Sequence, residues 1–142
     1  LTNIVWWYSS DIWQFWNNFF HIFFNTLILI LMWVYSRASL ALWLKASNLT
    51  NRWIIKSGPY KYIRHPAYLC KNLAWWIWWL PIIFSSIYNT DLKTLFFAIF
   101  SLSIWSYLYY LRAKTEEIHL SNDKDYINYK KEVKNMFIPK FK

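Results

Sequence analysis

Glycine and cysteine each occur once in 142 residues, and acidic side chains number only 7. The lone Cys70 excludes a disulfide framework and a multi-cysteine zinc site within the chain, and no metal is expected. With a single glycine, Gly58-Pro59 is the clearest turn signal. Charge is scarce overall, at 16% of residues against about 25% in an average soluble domain. Residues 1–50 hold only Asp11, Arg37 and Lys45. The first 18 residues carry no basic segment, so no signal peptide is visible. The sequence opens at Leu1 rather than Met, which leaves room for a longer natural N-terminus. Internal repeats and low-complexity tracts are absent.

What is abundant is apolar and aromatic. Hydrophobic residues make up 57% of the chain and aromatics 24%, with 12 tryptophans. One compact unit, residues 1–142, is the expected domain organisation at this length. A soluble core this small cannot hide so many rings, because small domains bury a smaller share of their surface. A bilayer can take them, and Trp and Tyr favour its interfaces. The net charge of +9 could suggest nucleic acid. The long apolar runs between the basic clusters argue against that, so membrane lipids are the expected partners and nucleic acid is not.

The apolar runs predict an all-α membrane protein with about three transmembrane helices. Residues 19–36, 67–88 and 92–111 each come close to the ~20 residues that cross the hydrocarbon core. Residues 1–18 read as an interfacial N-terminal helix, and 112–135 as a charged helix emerging from the membrane. Pro81 should kink the second span. The 37–66 loop and the segment after span three are rich in Lys and Arg, while Asn89-Thr90-Asp91 holds none. That asymmetry predicts a multi-pass protein with the basic loop and the C-terminus in the cytoplasm.

Three residues between spans two and three demand an antiparallel hairpin. The start of span two and the end of span three then emerge on one membrane face. Packed helices lie about 8–10 Å apart, so residues 60–68 and 112–117 can share one mouth. The two clusters meeting there are Gly58-Pro59-Tyr60-Lys61-Tyr62-Ile63-Arg64-His65-Pro66-Ala67-Tyr68 and Arg112-Ala113-Lys114-Thr115-Glu116-Glu117. Arg112 and Glu116, four apart, share a helical face.

GPYKYIRHPAY resembles the G-P-Y-x-Y-x-R-H-P-x-Y signature of the isoprenylcysteine carboxyl methyltransferase and phospholipid methyltransferase superfamily. RAKTEEIHL, followed by YINYKKEV and FIP, is similar to its second signature, and the resemblance covers about residues 45–140. It implies a methyltransferase using S-adenosylmethionine at a cytoplasmic catalytic face, with a lipophilic methyl acceptor. That acceptor is most simply an isoprenylcysteine-like carboxylate, with a phospholipid amine as the rival. Tyr60, His65, Pro66, Ala67 and Tyr68 match cofactor-contacting positions, as does Glu116. Ile54 and Ile55 align with a further cofactor-lining stretch. Arg112 matches a substrate-binding, catalytic residue, and Arg64 is assigned to the catalytic set, with Arg64 or His65 free to accept the cofactor's carboxylate. The family's usual glycine stands here as Cys70, and only one clear span precedes the first signature.

Blander roles fit the same residues. Arg64-His65-Pro66 could be a basic anchor before a helix-starting proline. Glu116-Glu117 could be a solvated helix face. Lys71 is expected to snorkel to the interface, Cys70 to pack as a small residue, and His21 and Asn25 to bond neighbouring helices. A non-enzymatic membrane protein binding anionic lipid or a partner is the alternative as a whole.

Overall fold

The computed structural model describes residues 18–46 and 54–138. The interfacial helix expected over residues 1–18 lies almost wholly outside them. The described residues form four α-helices, with no strand among them: α1 (Asn18–Ala46), α2 (Pro66–Tyr88), α3 (Leu92–Leu120) and α4 (Lys124–Glu132), plus a short 3-10 helix at Gly58–Lys61. α2 packs against both α1 and α3.

The hairpin is built by local chemistry. Pro66 opens α2 at a position whose N–H would be unpaired anyway, and the helix runs on through Pro81. The α2–α3 turn is closed by Asn89 N–H to Ser85 O and Asp91 N–H to Ser86 O, both 2.9 Å. Asp91 then caps α3, accepting from Thr94 N–H at 3.2 Å and from the Thr94 hydroxyl at 2.6 Å. Between the helices, Trp76 Nε1–H donates to Ser106 Oγ at 3.0 Å, and Ser106 Oγ lies 2.9 Å from Asn72 Oδ1. Polar links of this kind act as glue where lipid offers no hydrophobic driving force. Small residues fill the helix contacts: Ala38, Cys70, Ala74, Ala98 and Ala113 are buried.

The outer faces carry large apolar side chains in the open, among them Phe19, Phe23, Trp33, Phe97 and Trp105. Two helices, α1 over Asn18–Leu42 and α3 over Leu92–Leu120, are long and apolar enough to cross a membrane. α2, with Lys71, Asn72 and four tryptophans, is not among them by hydropathy.

Helix ends depart from the sequence reading in two places. α1 runs past residue 36 to Ala46, and α3 runs past residue 111 to Leu120. The charged segment 112–135 is therefore not one emerging helix. Its first part continues α3, a turn follows at 121–123, and α4 is separate, capped by Asp123 on Asp125 N–H at 2.8 Å. Charge marks where a chain leaves the apolar layer, but Arg-Ala-Lys-Thr-Glu-Glu contains no helix breaker. His21 and Asn25 lie 3.2 Å apart on α1.

Candidate functional site

The corner before α2 starts from a backbone requirement. Gly58 has φ +65°, in the left-handed region that only glycine visits cheaply. A Cβ there would meet nothing within 4 Å, so conformation rather than space selects glycine. The turn drives Tyr60 inward, where it packs with Ala38 and Ile55, and with Ala41 and Ala67 at the margin. Its hydroxyl donates to Ala38 O at 3.3 Å, and its carbonyl accepts from the Tyr129 hydroxyl at 2.7 Å. Tyr60 is thus fixed to α1 on one side and α4 on the other. Burial pushes its phenol well above the usual range, and pushes Tyr126 and Tyr129 up to about 12.

Next comes a buried ion cluster. Arg64 Nε donates to Glu117 Oε1 at 2.7 Å, and Arg64 Nη1 to Val133 O at 2.7 Å. Lys130 Nζ of α4 lies 3.0 Å from Glu117 Oε2. Arg64 and Glu117 are each 8% exposed. The backbone joins in: Arg64 N–H donates to Asn135 O and His65 N–H to Met136 O, both at 3.1 Å. Residues 133–137 therefore strap across the Arg-His corner, and Phe137 sits 5.9 Å from the His65 ring.

His65 is buried between that strap and Tyr68, whose ring stacks on it at 5.8 Å. Its Nε2 is 3.4 Å from Glu117 Oε1 and its Nδ1 3.8 Å from Glu116 Oε2. Nε2 makes no well-aligned hydrogen bond among the described residues. Burial pulls the imidazole below its ordinary value, against the opposing pull of the two glutamates.

The outer mouth is more open. The Tyr68 hydroxyl donates to Glu116 Oε1. Arg112 Nε lies 3.7 Å from the same oxygen, and the guanidinium sits 5.9 Å from the Tyr68 ring centroid. The Arg112 side chain is 71% exposed and that of Glu116 43%, so both can be reached from outside. Tyr109 of α3 stacks on Tyr68 at 5.7 Å.

Both clusters found in the sequence thus meet at one end of the hairpin. Pro66 is fully buried under the corner, Ala67 and Ile55 belong to the Tyr60 cluster, and Ile54 packs against Tyr126, Tyr129 and Val133. Arg64, assigned to the catalytic set on the sequence, has its guanidinium engaged by Glu117 and Val133 and holds the corner together. Glu117, which could have been part of a solvated helix face on the sequence alone, is the centre of that lock. The sequence reading missed Lys130 as a partner, although it lies in the quoted YINYKKEV, and it missed the strap's backbone pairing, for which the tail's FIP was the signal.

Residues 20–122 match the model of the family described as isoprenylcysteine carboxyl methyltransferase (ICMT). The chain belongs to the isoprenylcysteine carboxyl methyltransferase family. ICMT-family proteins are membrane-integral methyltransferases, so the chain is a membrane enzyme of methyl transfer by kinship. The matched stretch takes in both clusters of this ICMT-family chain, whereas α4 and the strap lie beyond it. Neither the curated proteins nor the solved structures give a match.

Proposed function

We propose that the chain transfers a methyl group from S-adenosylmethionine to an isoprenylcysteine-like carboxylate that enters from the bilayer. The observation that carries this reading is the Tyr68–Glu116–Arg112 group, in which a carboxylate and an exposed guanidinium share one tyrosine at the mouth of the hairpin.

The residues present fit the methyl donor. It brings an ammonium, a sulfonium, a carboxylate and an adenine. Glu116 is the accessible acid for a cationic part, and hydrogen bonds involving ions are roughly twice as strong as neutral ones. Tyr68 and Phe137 offer ring faces for the adenine or the sulfonium. His65 Nε2, buried and without an aligned partner, is a polar atom left for a ligand to satisfy. Tyr60, Pro66, Ala67, Ile54 and Ile55 back this wall, and the Arg64–Glu117 lock keeps it rigid.

When bound, the donor supplies an electrophilic methyl group for an in-line displacement. The protein then needs to align the partners and keep water out more than to furnish a nucleophile. A carboxylate acceptor is already nucleophilic, and Arg112 aims it. An amine acceptor would first have to lose a proton to a base, while the accessible charge on Arg112 repels a protonated amine. The carboxylate is therefore the better substrate.

The topology that suits this chemistry has α1, α2 and α3 all spanning the bilayer as one domain, residues 1–142. The mouth and α4 face the cytoplasm, where the basic loops favour retention. Titration calorimetry with S-adenosylhomocysteine in detergent is the direct test, followed by labelled methyl transfer into a prenylcysteine and, separately, into phosphatidylethanolamine. We expect cofactor binding and label in the prenylcysteine. Label in the phospholipid alone overturns the acceptor; absence of any cofactor binding overturns the enzyme and leaves a lipid- or partner-binding membrane protein.

A further inference from the structure

Lys71 sits inside α2, five residues past its first residue Pro66. At 1.5 Å per residue this is about 7 Å into the helix. An ammonium there is expensive unless something compensates it. A snorkelling lysine would point along the helix to the interface. Instead, Nζ lies 5.7 Å from the Tyr35 ring of α1 and 5.8 Å from the Tyr109 ring of α3. No carboxylate lies within 4 Å of it among the described residues. Two ring faces stabilise the charge without neutralising it.

Spacing ties this cation to the mouth. Tyr68 and Lys71 are three apart on α2, and Tyr109 and Arg112 three apart on α3, so each pair shares a helix face. The two tyrosines stack at 5.7 Å. Arg112 lies over Tyr68 and Lys71 over Tyr109. One stacked tyrosine pair therefore carries a cation on each member, and the lysine is the one a turn deeper along the hairpin.

We infer that Lys71 is a second acceptor-binding residue, which takes the carboxylate of the lipophilic acceptor as it arrives from the bilayer and passes it to Arg112. The inference rests on the acceptor being an acid, as proposed above. An amphiphile with its tail among the lipids approaches from the hydrocarbon side and meets Lys71 before Arg112. Lys71 would then select acids over neutral esters, including the enzyme's own methylated product, and so favour product release. A phospholipid phosphate offers similar anionic chemistry, but a headgroup belongs at the interface rather than a turn inside it.

The test compares binding of a prenylcysteine acid and its methyl ester to wild type, Lys71→Met and Lys71→Arg, each loaded with S-adenosylhomocysteine. Binding needs no turnover, so failure of methyl transfer by wild type would strike the proposed function and not this inference. Wild type should prefer the acid. Lys71→Met should lose about tenfold in acid affinity, with ester and S-adenosylhomocysteine affinities unchanged, and Lys71→Arg should restore most of the preference. A merely structural clip predicts equal losses for acid and ester together with a lower unfolding midpoint, and that result overturns the inference. So does an acid preference untouched by Lys71→Met, or one altered only in vesicles containing phosphatidylglycerol and not in phosphatidylcholine alone, since the partner would then be a net-anionic lipid headgroup.

Discussion

Removing the Arg64 guanidinium should unfasten the whole corner. In Arg64→Met the buried Glu117 loses its 2.7 Å partner, and Val133 O loses a charged donor at the same distance. Breaking one side of a buried ion pair costs about 3–5 kcal/mol. Two features temper this here: Lys130 Nζ still lies 3.0 Å from Glu117 Oε2, and His65 Nε2 3.4 Å from Oε1. The lower end, about 3 kcal/mol, is therefore expected. For a chain of this length that is on the order of a 10 °C drop in unfolding midpoint. The measurement is thermal unfolding in detergent for Arg64→Met, Glu117→Gln and the double variant. The double should fall well short of the sum of the singles, because deleting the acid removes the unpaired charge. A drop of only one or two degrees for Arg64→Met, or strict additivity, would refute the view that this pair locks the corner.

Glu116→Gln should weaken S-adenosylhomocysteine binding about ten- to a hundredfold, the worth of one charged hydrogen bond. The unfolding midpoint should barely move, since this side chain is 43% exposed; calorimetry and a melt read the two separately. The buried imidazole of His65 has its pKa held below the ordinary 6.5 by desolvation. The unfolded chain thus takes up more protons in the window just under 6.5, and stability is full above it and falls as pH drops through it. Melting at about pH 7.5 and about pH 5.5 should show the lower midpoint in acid, with His65→Gln flattening the difference; a higher midpoint in acid would contradict the assignment. Ser106→Ala should cost about 1 kcal/mol by freeing Trp76 and Asn72 and leave cofactor affinity alone, as unfolding and calorimetry would show. Gly58→Ala should cost about 1–2 kcal/mol through its φ of +65°. Because no atom lies within 4 Å of the new Cβ, Gly58→Asn should lose less in the same melt.

Hydropathy and turn chemistry carry a good part of this fold. The apolar run 67–88 becomes helix Pro66–Tyr88, because a proline at its head and Asn89-Thr90-Asp91 at its tail mark both ends chemically. The hairpin follows from that turn's shortness, and the meeting of the two motifs follows from the hairpin. Hydropathy misjudges Ser36 and Leu111 as helix ends, since leaving the apolar layer does not end a helix whose next residues still favour one. Arg64 shows what the sequence hides. Its partner Glu117 lies 53 residues away, and neither residue's neighbours in sequence distinguish a ligand-facing arginine from a structural one. Lys71 is similar: its solitary charge is visible in the sequence, but the rings of Tyr35 and Tyr109 come from two other helices.

The strap of residues 133–137 has a consequence for biogenesis. Its carbonyls at Asn135 and Met136 complete the backbone hydrogen bonds of Arg64 and His65, yet the ribosome makes it after all three long helices. Apolar helices such as α1 and α3 can enter a bilayer as independently stable segments and pack afterwards, but the Arg64–His65 corner is unfinished until α4 and the strap have been synthesised and have folded back. Membrane insertion and completion of the corner are therefore separate events, and a nascent chain halted before Val133 would have its apolar helices but an incomplete corner.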